Sequence, residues 1–354
     1  MTDTSNKITE HTQIKLEVYI SYLKAYLSIL GNSQFKHIDI IDIFAGQGKS
    51  DNGKEGSALL AFNVIQNYRK EHDKSVRLFL NEKDTQKVNK LKDYIDIEKH
   101  PYTHIYNEPA NNFISKLKDL NNNHSLIFID PYGYTSVSGE NLNKIFTRRN
   151  TDIILFIPVF HIYRFLRKED NDEQLKPIAQ FLQDIGINEN DVKDKKIDLD
   201  KFCSLILKAI QEKSNSDFCN YYKIKHEKHQ SEYALFFCSK HIKGLEEFLR
   251  SMKKTDDSHK KEIQLLLPFE EEYQYIINAL HSVKTLSNVS LYKLGILSGY
   301  YSKEINSHLK NLEDNKRIVV SSATDKTRNK NNFYIGSKYL KDNDERIFVQ
   351  LRWM

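Results

Sequence analysis

Cysteine is scarce in this sequence of 354 residues, which carries only Cys203, Cys219 and Cys238 and no Cys-x-x-Cys pair. A sparse, odd set of thiols builds no disulfide framework and is typical of a reducing compartment. The histidines near these cysteines do not complete the ligand spacing of a structural zinc site. We therefore predict a protein without disulfides and without a bound metal.

Long hydrophobic runs are lacking too. No stretch approaches the roughly 18 consecutive apolar residues that a membrane-spanning helix needs, and residues 1–10 are polar, without an apolar signal core. The net charge of +5 is small beside 53 basic and 48 acidic residues, so the total charge indicates a polyanionic partner only weakly. The composition predicts a cytoplasmic protein that does not contact a membrane.

Short apolar runs alternate with helical patterns over the first half of the chain. The runs that predict strands are residues 38–44, 76–80, 104–106, 126–129 and 153–157. Strands that alternate with helices imply a parallel sheet with helices on both faces, in which a ligand lies beyond the carboxyl ends of the strands.

The next part of the chain completes this domain. Residues 160–213 are helical in pattern and rich in charge, and we interpret them as a helical lid insertion. Residues 221–224 and 232–237 predict a closing hairpin, followed by a helix to Met252. We therefore expect residues 1–252 to form an α/β, Rossmann-like domain with a mostly parallel sheet and an antiparallel last strand.

The C-terminal part has a pattern of its own. A polar, unpatterned stretch at residues 253–264 predicts a linker. Residues 265–354 then show three helical segments and two short strands, at 318–320 and 333–335. Three helices and a two-stranded hairpin are the parts of a winged helix, so we expect a small winged-helix-like domain here.

Positive charge is concentrated in this C-terminal domain. Residues 284–341 contain eleven lysines and arginines against four acids, an excess greater than that of the whole chain. A basic recognition helix with a basic wing fits the phosphate backbone of DNA or RNA, whereas many winged helices bind proteins instead. The candidate nucleic-acid-binding residues are Lys303, Asn306 and Lys310 on the third helix and Lys326, Arg328 and Lys330 at the hairpin tip.

Small residues follow the first predicted strand, in the loop from Asp42 to Gly48. They let the backbone approach a ligand closely, and the acid accepts hydrogen bonds. The pattern Asp-x-Phe-Ala-Gly-x-Gly is typical of methyltransferases, whereas a phosphate-binding loop would need glycine in place of Ile43. The predicted cofactor-binding residues of the loop are Asp42, Phe44, Ala45, Gly46, Gln47 and Gly48. A tight turn without a ligand is the alternative.

Two further strand ends contribute candidates. Glu82 ends the second strand, where a carboxylate is placed to bind ribose hydroxyls, although a solvated carboxylate is the plainer interpretation. After the third strand, methyltransferases often have Asp-Ala, with the acid near the adenine amino group. This chain has Pro109 there, so an adenine contact must come from the backbone, Glu108 or Asn111. A bare helix N-terminus is the alternative.

The fourth strand delivers Asp130, Pro131, Tyr132 and Gly133 at its carboxyl end. Methyltransferases that act on the amino groups of bases use Asp/Asn-Pro-Pro-Tyr/Phe at this point. A carboxylate and a backbone carbonyl accept the hydrogens of the amine and localise its lone pair, while the ring stacks on the base. We predict that these four residues are catalytic; a turn after a buried strand is the alternative.

The order of these motifs resembles the three-Cys-motif partner protein family (TcmP-like), whose members are methyltransferase-like. The matching segments, spread over about residues 10–260, are 11–15, 42–46, 56–61, 82–84 and 128–133. The family has proline where this chain has Gln47 and Ala58. The resemblance implies S-adenosylmethionine as the cofactor, with Lys15 among its contacts, and a radical-SAM-like partner that carries the three cysteines.

The sequence therefore favours an S-adenosylmethionine-dependent methyltransferase that acts on nucleic acid, at an exocyclic base amine. A second hypothesis is a non-catalytic subunit that keeps the fold and binds nucleic acid or serves as a scaffold beside the radical-SAM-like partner. Pro109 and the missing second proline after Asp130 favour this second hypothesis. An NAD-dependent oxidoreductase is disfavoured because Asp130 to Gly133 would have no role in it.

Overall fold

A computed structural model describes most of the chain. The described residues are 8–33, 35, 37–72, 75–117, 123–131, 137, 139–166, 175–188, 197–225, 232–259, 272–323 and 330–352. The chain divides into two compact units, residues 1–240 and 241–354.

The first unit is built on a seven-stranded sheet with the order β3-β2-β1-β4-β5-β7-β6. Its strands are β1 (His37–Asp42), β2 (Ser75–Asn81), β3 (Thr103–Tyr106), β4 (His124–Ile129), β5 (Thr151–Ile157), β6 (Phe218–Lys225) and β7 (Glu232–Ser239). The first five strands pair in parallel, and β7 runs antiparallel between β5 and β6. This arrangement confirms the predicted Rossmann-like methyltransferase fold.

The helices of the first unit flank this sheet. They are α1 (Glu10–Gly31), α2 (Ser57–Glu71), α3 (Thr85–Tyr94), α4 (Ala110–Lys116), α5 (Gly139–Phe146), α6 (Val159–Leu166), α7 (Leu175–Ile185) and α8 (Leu199–Ser214). Every residue of β4 and β5 is buried, as expected for central parallel strands covered on both faces.

The segment predicted as a lid forms α6, α7 and α8. Phe181 and Phe202 are buried in the same core cluster as Ile127 of β4 and Leu155 of β5, and α8 packs on β6 and β7. These helices therefore belong to the layer that covers the sheet.

The second unit combines helices with a three-stranded antiparallel sheet of order β8-β10-β9. Its elements are α9 (Ile242–His259), α10 (Gln274–Val283), β8 (Thr285–Ser287), α11 (Asn288–Leu297), α12 (Ser302–Asp314), β9 (Ile318–Ser322), a 3-10 helix (Ser337–Asn343) and β10 (Ile347–Leu351).

The strand predicted at residues 333–335 is not formed. Tyr334 has a φ of +54°, a left-handed conformation that an extended strand does not allow. The partner of β9 is β10 instead, where buried Ile347 and Val349 alternate with more exposed residues.

The boundary between the units also differs from the predicted one. Helix α9, which the sequence predicts within the first domain as far as Met252, lies in the second unit and continues through 253–259 of the predicted linker. Glu246 of α9 is buried and accepts a hydrogen bond from the Tyr292 hydroxyl of α11 at 2.9 Å. Thr255, inside the polar stretch, is buried as well.

Candidate active site

A cleft of about 350 Å³ opens at the carboxyl ends of the parallel strands of the first unit. It is lined by the loop from Phe44 to Ser50 after β1, by Lys15 of α1, by Asp130 and Pro131 after β4, and by Phe156 of β5. Strand β1 pairs with β2 on one side and with β4 on the other, so the strand order reverses here. Open α/β sheets bind ligands at such a point.

Asp42 holds the loop from beneath and does not line the cleft. It is fully buried. The Phe44 amide donates to one of its carboxylate oxygens at 3.1 Å, and the Ser57 hydroxyl donates to the other at 2.6 Å. Burial raises the pKa of Asp42 to about 7, although both hydrogen bonds act in the opposite direction. Asp42, which the sequence predicts as a cofactor-binding residue, therefore fixes the shape of the loop.

The glycines of this loop are required by its backbone. Gly46 and Gly48 have φ values of +67° and +85°, which disfavour residues with a Cβ. The Gly48 carbonyl accepts a hydrogen bond from the Gly56 amide at 2.7 Å, and a Cβ on Gly56 would lie 3.2 Å from that carbonyl oxygen. Gln47 is held inside the loop, since its side-chain amide donates to the Lys49 carbonyl at 2.7 Å. The loop is thus held in shape by its own hydrogen bonds, and its small residues line one wall of the cleft.

Glu82, at the end of β2, is only 4% exposed. One carboxylate oxygen accepts the Asp84 amide at 3.0 Å, and the other is buried without a partner among the described residues. A buried, unsatisfied carboxylate oxygen is costly, and two vicinal ribose hydroxyls are donors that would satisfy it. Glu82 does not line the cleft, so side chains around it must shift before a ribose reaches it.

Lys15 and Asp130 form an ion pair inside the cleft. The Lys15 side chain is 6% exposed and the Asp130 side chain 28% exposed. The Lys15 ammonium also lies over the Phe156 ring, 4.1 Å from its centroid, and Phe156 in turn stacks on Tyr233 at 5.3 Å. A lysine from the first helix therefore occupies the space directly in front of the predicted catalytic carboxylate.

The carboxylate at the end of β3, that of Glu108, already has a partner. Glu108 pairs with Lys116, and Pro109 stands at the N-terminus of α4 without a side-chain cap. Asn111 is partly exposed in the first turn of α4. The neighbouring Asn107, which sequence reasoning missed, donates to the carbonyls of Glu82 and Lys83 at 3.0 Å each and so ties the turn after β2 to the end of β3.

The structure brings several predicted residues together: Lys15, the loop from Phe44 to Gly48, Asp130 and Pro131 share one cleft. Tyr132 and Gly133 lie outside the described residues. Sequence reasoning missed Phe156, Ser57 and Lys87, which also line the cleft. The available signals were that Ser57 opens a helix after glycine, within a segment that matches the family, and that Phe156 is near the end of a predicted strand.

The candidate nucleic-acid-binding residues are only partly described. Lys303 and Lys310 are exposed on α12, whose opposite side buries Ile305, Leu309 and Leu312 as predicted. The Asn306 amide is engaged with the Ser302 carbonyl at 2.7 Å. Lys330 is exposed and lies 3.7 Å from Asp314. Lys326 and Arg328 lie outside the described residues.

Two kinds of feature are absent from the described part of the chain. No group of three or more His, Cys, Asp or Glu side chains is arranged there to bind a metal ion. None of the described helices combines the length and the apolar character that crossing a bilayer requires.

No protein-family model and no curated protein sequence matches this chain. Among solved structures, it is similar to a protein from Legionella pneumophila, with 13% identity, coverage of 70% of this chain and 91% of that chain, and a TM-score of 0.42. It is similar to human methyltransferase-like protein 13 in complex with SAH, with 11% identity, coverage of 73% and 98%, and a TM-score of 0.37. An O-methyltransferase from Bacillus cereus in complex with SAH shows 11% identity, coverage of 66% and 83%, and a TM-score of 0.32. The strand order itself, rather than these likenesses, defines the fold.

Proposed function

We propose that this protein is an S-adenosylmethionine-dependent methyltransferase. The observation that carries the proposal is that the glycine loop after β1 and Asp130 after β4 line the same cleft at the point of strand reversal. A dinucleotide oxidoreductase would use such a loop but has no role for an acid and a proline at the end of β4. When bound, S-adenosylmethionine supplies a methyl group on a positively charged sulfur.

The residues of the cleft and of the neighbouring strand ends fit this cofactor. The loop from Phe44 to Gly48 would hold the methionine part, because its glycines let the backbone approach closely. Glu82 would hold the ribose through its unpartnered carboxylate oxygen. Asn111, Glu108 or the backbone beside Pro109 would contact the adenine.

Titration calorimetry with S-adenosylmethionine and S-adenosylhomocysteine tests the cofactor assignment. We expect both to bind and Glu82→Ala to weaken binding at least several-fold. Glu98→Ala removes an exposed carboxylate of the same unit and should leave the affinity unchanged. Binding of NAD in place of these ligands, or no binding to the folded protein, would contradict the proposal.

We also propose that the acceptor is a nucleic acid. Support comes from the second unit, in which α10, α11 and α12 together with a three-stranded antiparallel sheet have the composition of a winged helix and α12 exposes Lys303 and Lys310. Replacing both lysines by Ala should weaken binding similarly across sequences and lower the salt slope by about 2. A matched pair of exposed lysines in the first unit, Lys70 and Lys92, is the control.

The acceptor atom expected from the sequence, an exocyclic base amine, depends on Asp130 accepting a hydrogen from that amine. In the folded chain this carboxylate already accepts a hydrogen from Lys15. The amine hypothesis therefore requires Lys15 to leave or to share Asp130.

A non-catalytic subunit beside a radical-SAM-like partner is the second candidate. The observation that favours it is Pro109, which stands at the N-terminus of α4 where methyltransferases often have the acid that contacts adenine. Cofactor binding without methyl transfer to RNA, DNA or a co-expressed partner would support this candidate over the enzyme.

A further inference from the structure

The Lys15–Asp130 ion pair is held in place by the packing of the first unit and is not a pair of exposed surface side chains. Lys15 lies on the buried side of α1, next to Leu16 and one helical turn before Tyr19, whose ring stacks on Phe128 of β4 at 4.2 Å. The Lys15 ammonium is confined between the Asp130 carboxylate and the face of Phe156. A methyl acceptor that reaches Asp130 must therefore also meet Lys15.

A nitrogen atom and an oxygen atom that accept the methyl group interact differently with the Lys15–Asp130 pair. An ammonium group offers only donors, so it cannot accept a hydrogen from an amine. Positive charge also develops on a nitrogen acceptor as the methyl group arrives. For half a unit of charge about 4 Å from the ammonium, at an effective dielectric constant of about 20, repulsion by Lys15 alone would slow the transfer by roughly 30-fold. The Asp130 carboxylate attracts the same charge and offsets this repulsion, so the difference between the two acceptors lies in the donors that Lys15 offers to an oxygen.

A hydroxyl acceptor fits the same pair. Asp130 can accept the single hydroxyl hydrogen, and the remaining donors of Lys15 can stabilise the negative charge that the oxygen gains as this proton leaves. The oxygen forms a bond to the methyl carbon while the bond from that carbon to sulfur breaks, with its electron pair left on sulfur. The hydroxyl proton passes to Asp130 and then to water.

We propose that the Lys15–Asp130 pair selects a hydroxyl oxygen as the methyl acceptor, which in a nucleic acid is the ribose 2′-hydroxyl of RNA. This inference rests on the proposed function and deepens it, because the 2′-hydroxyl distinguishes RNA from DNA. Lys15 is the specificity-determining residue, and Asp130 is the group that takes the proton.

The test is transfer of a labelled methyl group from S-adenosylmethionine to RNA and to DNA of the same base sequence, followed by alkaline digestion of the RNA. A 2′-O-methyl group blocks alkaline cleavage at its own linkage, so the label should appear in alkali-stable dinucleotides. DNA should remain unlabelled. Label in base-methylated mononucleotides or in DNA would overturn the acceptor assignment while leaving the methyltransferase proposal intact.

Variants separate the role of Lys15 from cofactor binding. Lys15→Met removes the charge and keeps most of the length of the side chain, and we expect transfer to RNA to fall at least about 100-fold while cofactor affinity changes less than about 3-fold. Lys15→Arg keeps the charge and should recover part of the activity. Lys24→Met, on the exposed side of the same helix, is the matched control and should transfer like the wild type.

Two further outcomes would contradict the proposed roles of Lys15 and of the hydroxyl acceptor. A loss of cofactor affinity as large as the loss of transfer would make Lys15 a cofactor ligand and overturn its role in acceptor choice. Asp130→Asn, at a half-buried position, provides a second variant should Lys15→Met lower the melting temperature. Absence of transfer to either nucleic acid, with the cofactor bound, would overturn the ribose hydroxyl as the acceptor, whereas the enzymatic proposal fails only if a co-expressed partner is not methylated either.

Discussion

Replacing Asp42 by Asn should stabilise the first unit at alkaline pH. Burial raises the pKa of Asp42 to about 7 from its ordinary value of 3.8, so the folded state holds a proton that the unfolded state releases. This group therefore contributes its full stability below pH 4 and loses it as the pH rises through 7. The full titration amounts to on the order of 4 kcal/mol, of which roughly 2.5 kcal/mol falls between pH 5 and pH 8.

Asn at position 42 does not ionise but can keep both contacts, since its carbonyl accepts the Phe44 amide and its amide donates to the Ser57 hydroxyl. Urea unfolding followed by circular dichroism at pH 5 and pH 8 measures the difference between variant and wild type. We expect the free energy of unfolding of Asp42→Asn to gain about 2 kcal/mol relative to wild type over this range. The exposed Asp93→Asn is the control. A difference that does not change with pH would refute the protonated Asp42.

Three further changes test the supports of the site. Tyr22→Phe removes the hydroxyl that donates to buried Asp152 at 2.6 Å and should lower the free energy of unfolding by about 1–3 kcal/mol, measured by urea unfolding. Gly48→Ala places a Cβ at a φ of +85° and 3.1 Å from neighbouring side chains, so it should lower the melting temperature and weaken cofactor binding in calorimetry. Asn107→Ala frees the turn that carries Glu82 and should weaken cofactor binding several-fold without changing the melting temperature by more than a few degrees.

The central sheet could be predicted because its strands are continuous apolar runs separated by helical patterns. In β1, Ile38, Ile40 and Ile41 are fully buried, and such a run bounded by a glycine loop has few other structural solutions. The second unit was harder to predict. Phe333 is apolar and buried, like a strand residue, yet the positive φ of Tyr334 keeps this stretch out of the sheet.

The sequence selected candidate residues for the site but not their surroundings. Residue type and position after a strand were enough to select Asp42, Glu82 and Asp130. Their roles depend on burial and on partners from elsewhere in the chain: Ser57 engages Asp42, and Lys15 engages Asp130. No local sequence pattern indicates such partners, because the packing of helices on the sheet determines which residues meet.

The Lys15–Asp130 pair shows how such packing can nonetheless be rationalised. The two residues are 115 positions apart. Lys15 and Tyr19 are four residues apart on α1, and Phe128 and Asp130 are two residues apart along β4 and its end. Four helical residues advance about 6 Å and two strand residues about 6.6 Å, so once Tyr19 stacks on Phe128, Lys15 comes level with Asp130 on the same side of the sheet. The contact between Tyr19 and Phe128 in the core thus fixes the position of the Lys15 ammonium in the cleft. Moving Lys15 away from Asp130 along α1 would require unstacking Tyr19 from Phe128.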